Sequence, residues 1–222
     1  MHRSAKDFLE AQTSEQKYQA RLYGGGTTDK PDFSIARIDD VKGIDAVLLR
    51  ELCMTGVEAF DRKTMTYQEV EEHVLKSHTL FYVRNKEGRI VGFAGMQGSM
   101  DSEQRSIYLS GAALLEEAQG NGLYAQLSLA RIRVGLEAGA TLVHTSTQNP
   151  KVEAGIRDAL DSLAAEGRIA GHTIKREHLK SYYGRMLTSE IPKSRHSEIN
   201  AEYGKLDYGA GDAYKLSFEL QM

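Results

Sequence analysis

The stretch from Leu123 to Ala138 constrains the fold more than any other part of the chain. Leu123, Leu127, Ala130, Val134 and Ala138 line one stripe of a helix, and Leu129, Ile132 and Leu136 widen it until little polar surface is left. Such a helix has to be covered on more than one side. Gly139 follows it as a terminator, while Gly120 and Gly122 stand immediately before it. Those two glycines make either an ordinary tight turn or a loop whose backbone receives a phosphate.

The neighbouring segments supply the cover. Phe33–Ile38 reads as a short strand, and residues 40–57 as a helix through Val41, Ile44, Val47, Leu48 and Leu52. A second helix opens at Thr66 as N-cap. Residues 79–98 hold two β-rich runs around a turn near Gly88, and residues 106–115 a further strand. After the apolar helix come a strand over 140–147 and a helix with Asn149 as N-cap, Pro150 at its first position and Gly167 as its stop. Residues 176–187 are expected to form one more helix. At the end Tyr214, Leu216, Phe218, Leu220 and Met222 alternate with Lys215, Ser217, Glu219 and Gln221, the pattern of an antiparallel strand buried on one face. This order predicts an α/β chain with a mixed sheet rather than a regular βαβ alternation. Residues 1–32 read as a polar helical arm followed by a Gly-rich linker at Tyr23–Asp32, and residues 33–222 as one domain.

Charge and composition narrow the function. With 28 basic and 31 acidic side chains the net charge is −3, so no field draws the chain to nucleic acid or to an anionic membrane. No apolar run has the length of a membrane span, the first residues lack a signal peptide's apolar core, and a cytoplasmic location is expected. Cys53 is the one cysteine, which excludes an intrachain disulfide and a thiolate zinc cluster. The 7 His show no metal-ligand spacing such as H-E-x-x-H, and G-x-S-x-G is absent, so neither a metal site nor a serine triad is expected.

Gly120, Gly122 and Ala125 fit G-x-G-x-x-A, a permitted dinucleotide fingerprint. A dinucleotide loop follows directly on its strand, however, and here Glu116–Gln119 intervene; the acidic residue expected at the end of the next strand is missing from residues 141–149. Taken with Gln119, the segment Gln119-Gly120-Asn121-Gly122-Leu123-Tyr124 resembles the Q/R-x-x-G-x-G/A signature of the GNAT acyltransferase family. The resemblance implies a mixed, mostly antiparallel central sheet flanked by helices, with acetyl-CoA as acyl donor. It implies that Gln119, Gly120, Asn121, Gly122, Leu123 and Tyr124 receive the diphosphate, that Ala112 and Leu114 offer backbone groups to the pantetheine arm, and that Asn149 lies beside the opened cleft. Tyr124 stands where the family has Gly or Ala, so its side chain has to point away from the loop; Glu116 stands where the family often has Pro.

By the same resemblance the reaction moves an acetyl group to an amine of a small molecule or peptide, and a homodimer is compatible with it. A backbone N–H at Leu114 or a near neighbour polarises the thioester carbonyl. The Tyr that protonates the leaving thiolate in many members has no counterpart near Arg157, and Tyr183, with Tyr182 beside it, is the next candidate downstream. Glu69, Glu71, Glu72 and His73 on the second helix, and His144, are candidate bases. The alternative is a GNAT-like module that binds CoA or a partner without turnover.

Overall fold

The computed structural model describes residues 17–18, 33–60, 65–99 and 105–222. The arm and linker expected over 1–32 lie outside these except for Lys17–Tyr18 (β1), which pairs antiparallel with Ile35 and Ala36. The remaining strands are β2 (Phe33–Ile38), β3 (Thr79–Asn85), β4 (Ile90–Ser99), β5 (Ser106–Leu114), β6 (Leu142–Thr147), β7 (Gly171–Leu179) and β8 (Ala213–Gln221). They form one sheet in the order β1-β2-β3-β4-β5-β6-β8-β7, antiparallel throughout except for β5 beside β6. The helices are α1 (Ala46–Ala59), α2 (Tyr67–Leu75), α3 (Leu123–Glu137), α4 (Pro150–Ala165) and α5 (Ser197–Tyr203).

Two apolar clusters place the helices on opposite faces. Leu52, Cys53, Val70 and Val74 of α1 and α2 pack on Leu80, Tyr82, Phe93 and Ala113. Leu123, Leu127 and Ile132 of α3 and Ile156, Leu160 and Leu163 of α4 pack with Ile199 and Tyr203 of α5 against Ile107, Leu109, Val143, Leu216 and Phe218. The broad apolar surface of α3 is thus enclosed by the sheet and by α4. Both front helices begin on side-chain caps: the Asp45 carboxylate accepts from the amides of Val47 and Leu48, and Thr66 and Glu69 form a reciprocal capping box.

Residues 176–187 do not form the expected helix. Residues up to Leu179 extend as β7 along β8, and the chain then turns. Ser181 and Gly184 have φ of 49° and 66°, values that interrupt a right-handed helix at two places. The Asp212 carboxylate holds this turn by accepting from the Ser181 amide at 2.9 Å. The strand β7 and the short helix α5 carry little local signal in the sequence. β7 alternates charged residues on a half-exposed edge, and α5 buries only Ile199 and Tyr203.

Candidate active site

The site is built where β5 and β6 part. Their parallel ladder holds at Ser106–Leu142, Ile107–Val143 and Tyr108–His144 and then stops. Beyond it the Thr145 hydroxyl donates to the Leu109 carbonyl at 2.8 Å in place of a backbone pair. On its other side β5 stays paired with β4, but the register jumps from Met96–Leu109 to Ala94–Ala112, so Ser110 and Gly111 form a bulge. The Leu115 amide donates to the Val91 carbonyl, and alternation along an antiparallel pair then turns the backbone groups of Ala112 and Leu114 away from β4, toward the opening.

The chain leaves β5 through a short turn at Glu116–Ala118 and reaches the glycine loop. Gly120 and Gly122 have φ of 79° and 69°, where a Cβ is strained, and a Cβ built on either would project into open space. Asn121 holds the loop by donating to the Gln119 carbonyl at 3.1 Å, and the Gln119 side chain donates to the Leu114 carbonyl at 3.0 Å. Gly122 is the N-cap of α3, and no side chain satisfies the first turn of that helix, which starts with Leu123. Free amide donors and the positive end of the helix dipole thus stand together at the loop. The ring of Tyr124 is turned away from the loop onto α4, where only a glycine fits: a Cβ on Gly155 would collide with it. Glu117 reaches Arg89 at 3.7 Å.

The other wall of the opening is β6 together with the segment that succeeds it. Asn149 caps α4, its side chain accepting from the Lys151 amide at 2.9 Å. Tyr183 donates its hydroxyl proton to the Ser146 carbonyl at 2.8 Å, and its ring meets Tyr182 edge to face at 4.8 Å. Burial, with Tyr108 and Tyr182 nearby, pushes the Tyr183 phenol well above its ordinary range. The segment carrying Tyr183 is fastened by Gln148, which donates to the Arg185 carbonyl and accepts from the Leu187 amide, each at 3.0 Å. Arg185 reaches across to Glu69 of α2 at 2.6 Å and, with Thr66, draws that carboxyl down to about 2. Gln148 and Arg185, neither singled out in the sequence, therefore position the candidate Tyr183; a polar Gln148 between a strand and the Asn149 cap was the signal available.

On the α1/α2 face the sheet opens between β5 and β7. A groove of about 410 Å³ lies there, lined by Tyr108, His144, Ser146, Glu177, Tyr182 and Lys215 among others. His144 stacks at 5.4 Å on Tyr108, and burial together with Lys215 lowers its pKa. His73 stands over Gly111, within 3.8 Å of where a Cβ would be, and burial of this ring on its β5 side likewise lowers its pKa. Of the candidate bases, Glu69 is committed to Arg185 and Thr66, whereas His73 and His144 flank the opening. Among the described residues no group of His, Cys, Asp or Glu is arranged to hold a metal, and no helix is long and apolar enough to cross a membrane.

The geometry has counterparts among known proteins. The family model described as "Acetyltransferase (GNAT) domain" matches residues 48–156, from α1 through the glycine loop into α4. No curated protein matches the sequence. Among solved structures, the ribosomal-protein-S18-alanine N-acetyltransferase from Escherichia coli superposes with a TM-score of 0.53 at 14% identity, covering 86% of this chain and 95% of that one. A chain of the NatC complex bound to Gag peptide and CoA gives a TM-score of 0.50 at 13% identity, covering 84% and 99%. These identities speak for the fold alone. The split β5/β6 pair, the glycine loop ahead of α3 and the domain match across both converge: residues 48–156 match the GNAT acetyltransferase domain, and the fold is GNAT-like.

Proposed function

We propose that the domain over residues 33–222 is a cytoplasmic N-acyltransferase that moves an acetyl group from acetyl-CoA to an amine of a small molecule or peptide. The observation that carries this reading is the uncapped start of α3 behind Gly120 and Gly122, set at the open end of the β5/β6 split. The amides around Gly120, Asn121, Gly122, Leu123 and Tyr124 hold the diphosphate, with Gln119 bracing the loop from the Leu114 carbonyl. The pantetheine arm lies along Ala112 and Leu114 like an added strand, with Asn149 on the far wall. Acyl-CoA supplies the activated carbonyl. His73, kept neutral by its surroundings, takes a proton from the acceptor amine; an N–H of β5 at the split polarises the carbonyl; the Tyr183 hydroxyl gives its proton to the departing sulfur. The acceptor enters by the groove at Tyr108 and His144.

A second reading, a module that binds CoA without turnover, is favoured by Arg157. It occupies the place where many members carry their Tyr, and it is paired with Glu153 at 2.6 Å. Two measurements decide. Acetyl-CoA at 100 times its Kd is expected to stabilise the protein by about 2.7 kcal/mol, with NAD and ATP giving no shift. Free thiol released from acetyl-CoA in the presence of an amine panel separates transferase from binder. A shift with NAD and none with acetyl-CoA would overturn both readings.

A further inference from the structure

Arg131 of α3 is 0% exposed, and no carboxylate among the described residues contacts it. A guanidinium removed from water in this way has to find an acceptor for each donor face. Its Nε donates to the Leu127 carbonyl at 3.1 Å and one Nη to Ser128 Oγ at 3.2 Å. The other Nη donates to the carbonyls of Gly95 at 3.1 Å and Ser110 at 3.4 Å. The ring of Tyr124 lies 5.7 Å from its central carbon. Two of these acceptors belong to the β4/β5 bulge, where one residue on β4 faces two on β5 and the ladder cannot satisfy every carbonyl.

The same bulge is pinned from the opposite face. Ser77 Oγ lies 3.3 Å from Ser110 Oγ and donates to the His73 carbonyl at 3.1 Å. A Cβ on Gly95 would collide with Ser77 Oγ, so this residue has to be glycine for the contact to form. The bulge sits one residue before Ala112, whose backbone faces the split. Its geometry therefore sets where that N–H points.

We propose that Arg131 is a positioning residue for acyl transfer: gripping the Gly95 and Ser110 carbonyls from behind, it fixes the Ala112 N–H toward the acyl carbonyl. The proposal rests on the acyl-CoA reading above. An apolar side chain of equal size would fill the same space but leave both carbonyls orphaned, and a lysine would keep the charge while losing the fork.

The test is Arg131→Lys, followed by melting, acetyl-CoA affinity, turnover and the infrared stretch of bound 1-¹³C-acetyl-CoA. The expected result is cooperative melting, a Kd within about threefold of wild type and a kcat lowered about tenfold or more, with the carbonyl stretch moved toward its value in free solution. A folded variant with wild-type kcat and stretch overturns the proposal. Where Arg131→Lys fails to fold, Ser128→Ala carries the test. It removes the acceptor of the Nη that does not grip the bulge and is expected to lower kcat about threefold at unchanged Kd; unchanged kcat refutes the positioning role. Failure of wild-type protein to bind acetyl-CoA defeats the underlying reading instead, an outcome distinct from equal turnover by wild type and variant.

Discussion

Replacing Tyr183 by Phe keeps the ring against Tyr182 and removes only the hydroxyl that donates to the Ser146 carbonyl. Stability is expected to fall by about 1 kcal/mol, the worth of one hydrogen bond, while kcat falls about 10²–10⁴-fold at nearly constant CoA affinity. Tyr182→Phe, at a residue 50% exposed, is the control and should stay within about twofold. Steady-state kinetics on the two variants suffice, and a large drop at Tyr182 alone would move the acid to that residue. His73 makes a different prediction. Its lowered pKa leaves the ring neutral below the ordinary histidine range, so the acid limb of kcat/KM should lie below about pH 6.5. His73→Gln should abolish that limb; a limb that survives assigns it to His144, the other histidine at the opening.

At the scale of elements, the glycine loop and α4 are separately testable. Gly122→Val forces a branched side chain into φ of 69° and sets its methyls in the space assigned to the diphosphate. The left-handed conformation costs about 1–2 kcal/mol, and CoA affinity should drop by far more than that strain explains. Titration calorimetry with CoA beside a melt would expose a glycine that serves only the turn, because Kd would then hold. Glu153 of α4 is 0% exposed and bonded to Arg157 and to Arg176 of β7. Glu153→Ala leaves two guanidinium groups facing each other, and a loss of about 3–5 kcal/mol is expected in denaturant unfolding. These two elements were legible in the sequence because their signals are local: glycines at fixed positions, Asn149 and Pro150 at a helix start, and an apolar stripe on α3. The turn at Tyr182 and Tyr183 was not legible, and a helix was expected in its place. Its left-handed Ser181 is held by Asp212, and its far end by Gln148, partners remote in sequence. Gly184 within that stretch was the one local hint. Arg131 was hidden for the same reason, since an arginine inside a helical pattern reads as surface until the β4/β5 bulge is in view.

For the molecule as a whole, protonation should set the acid limit of stability. The unfolded chain takes up protons at His73 and His144 near pH 6.5, whereas both rings resist protonation in the folded state. The unfolded state therefore binds more protons below that pH, and stability falls as pH drops from about 7 toward 5. Glu69, drawn down to about 2, adds a term that is fully present above about pH 4.5 and disappears on further acidification. Melting temperatures across this range should decline in that order, and the double variant His73→Gln, His144→Gln should flatten the first step. A last consequence comes from β7, which ends the sheet. Its outer edge lies beyond Lys175, Arg176 and Glu177, which project to alternate faces and remain partly in water. A further strand docked there would have to desolvate those charges, so the edge discourages templated stacking of one copy on the next. The charge pattern that concealed β7 as a strand in the sequence is also what keeps the sheet from growing.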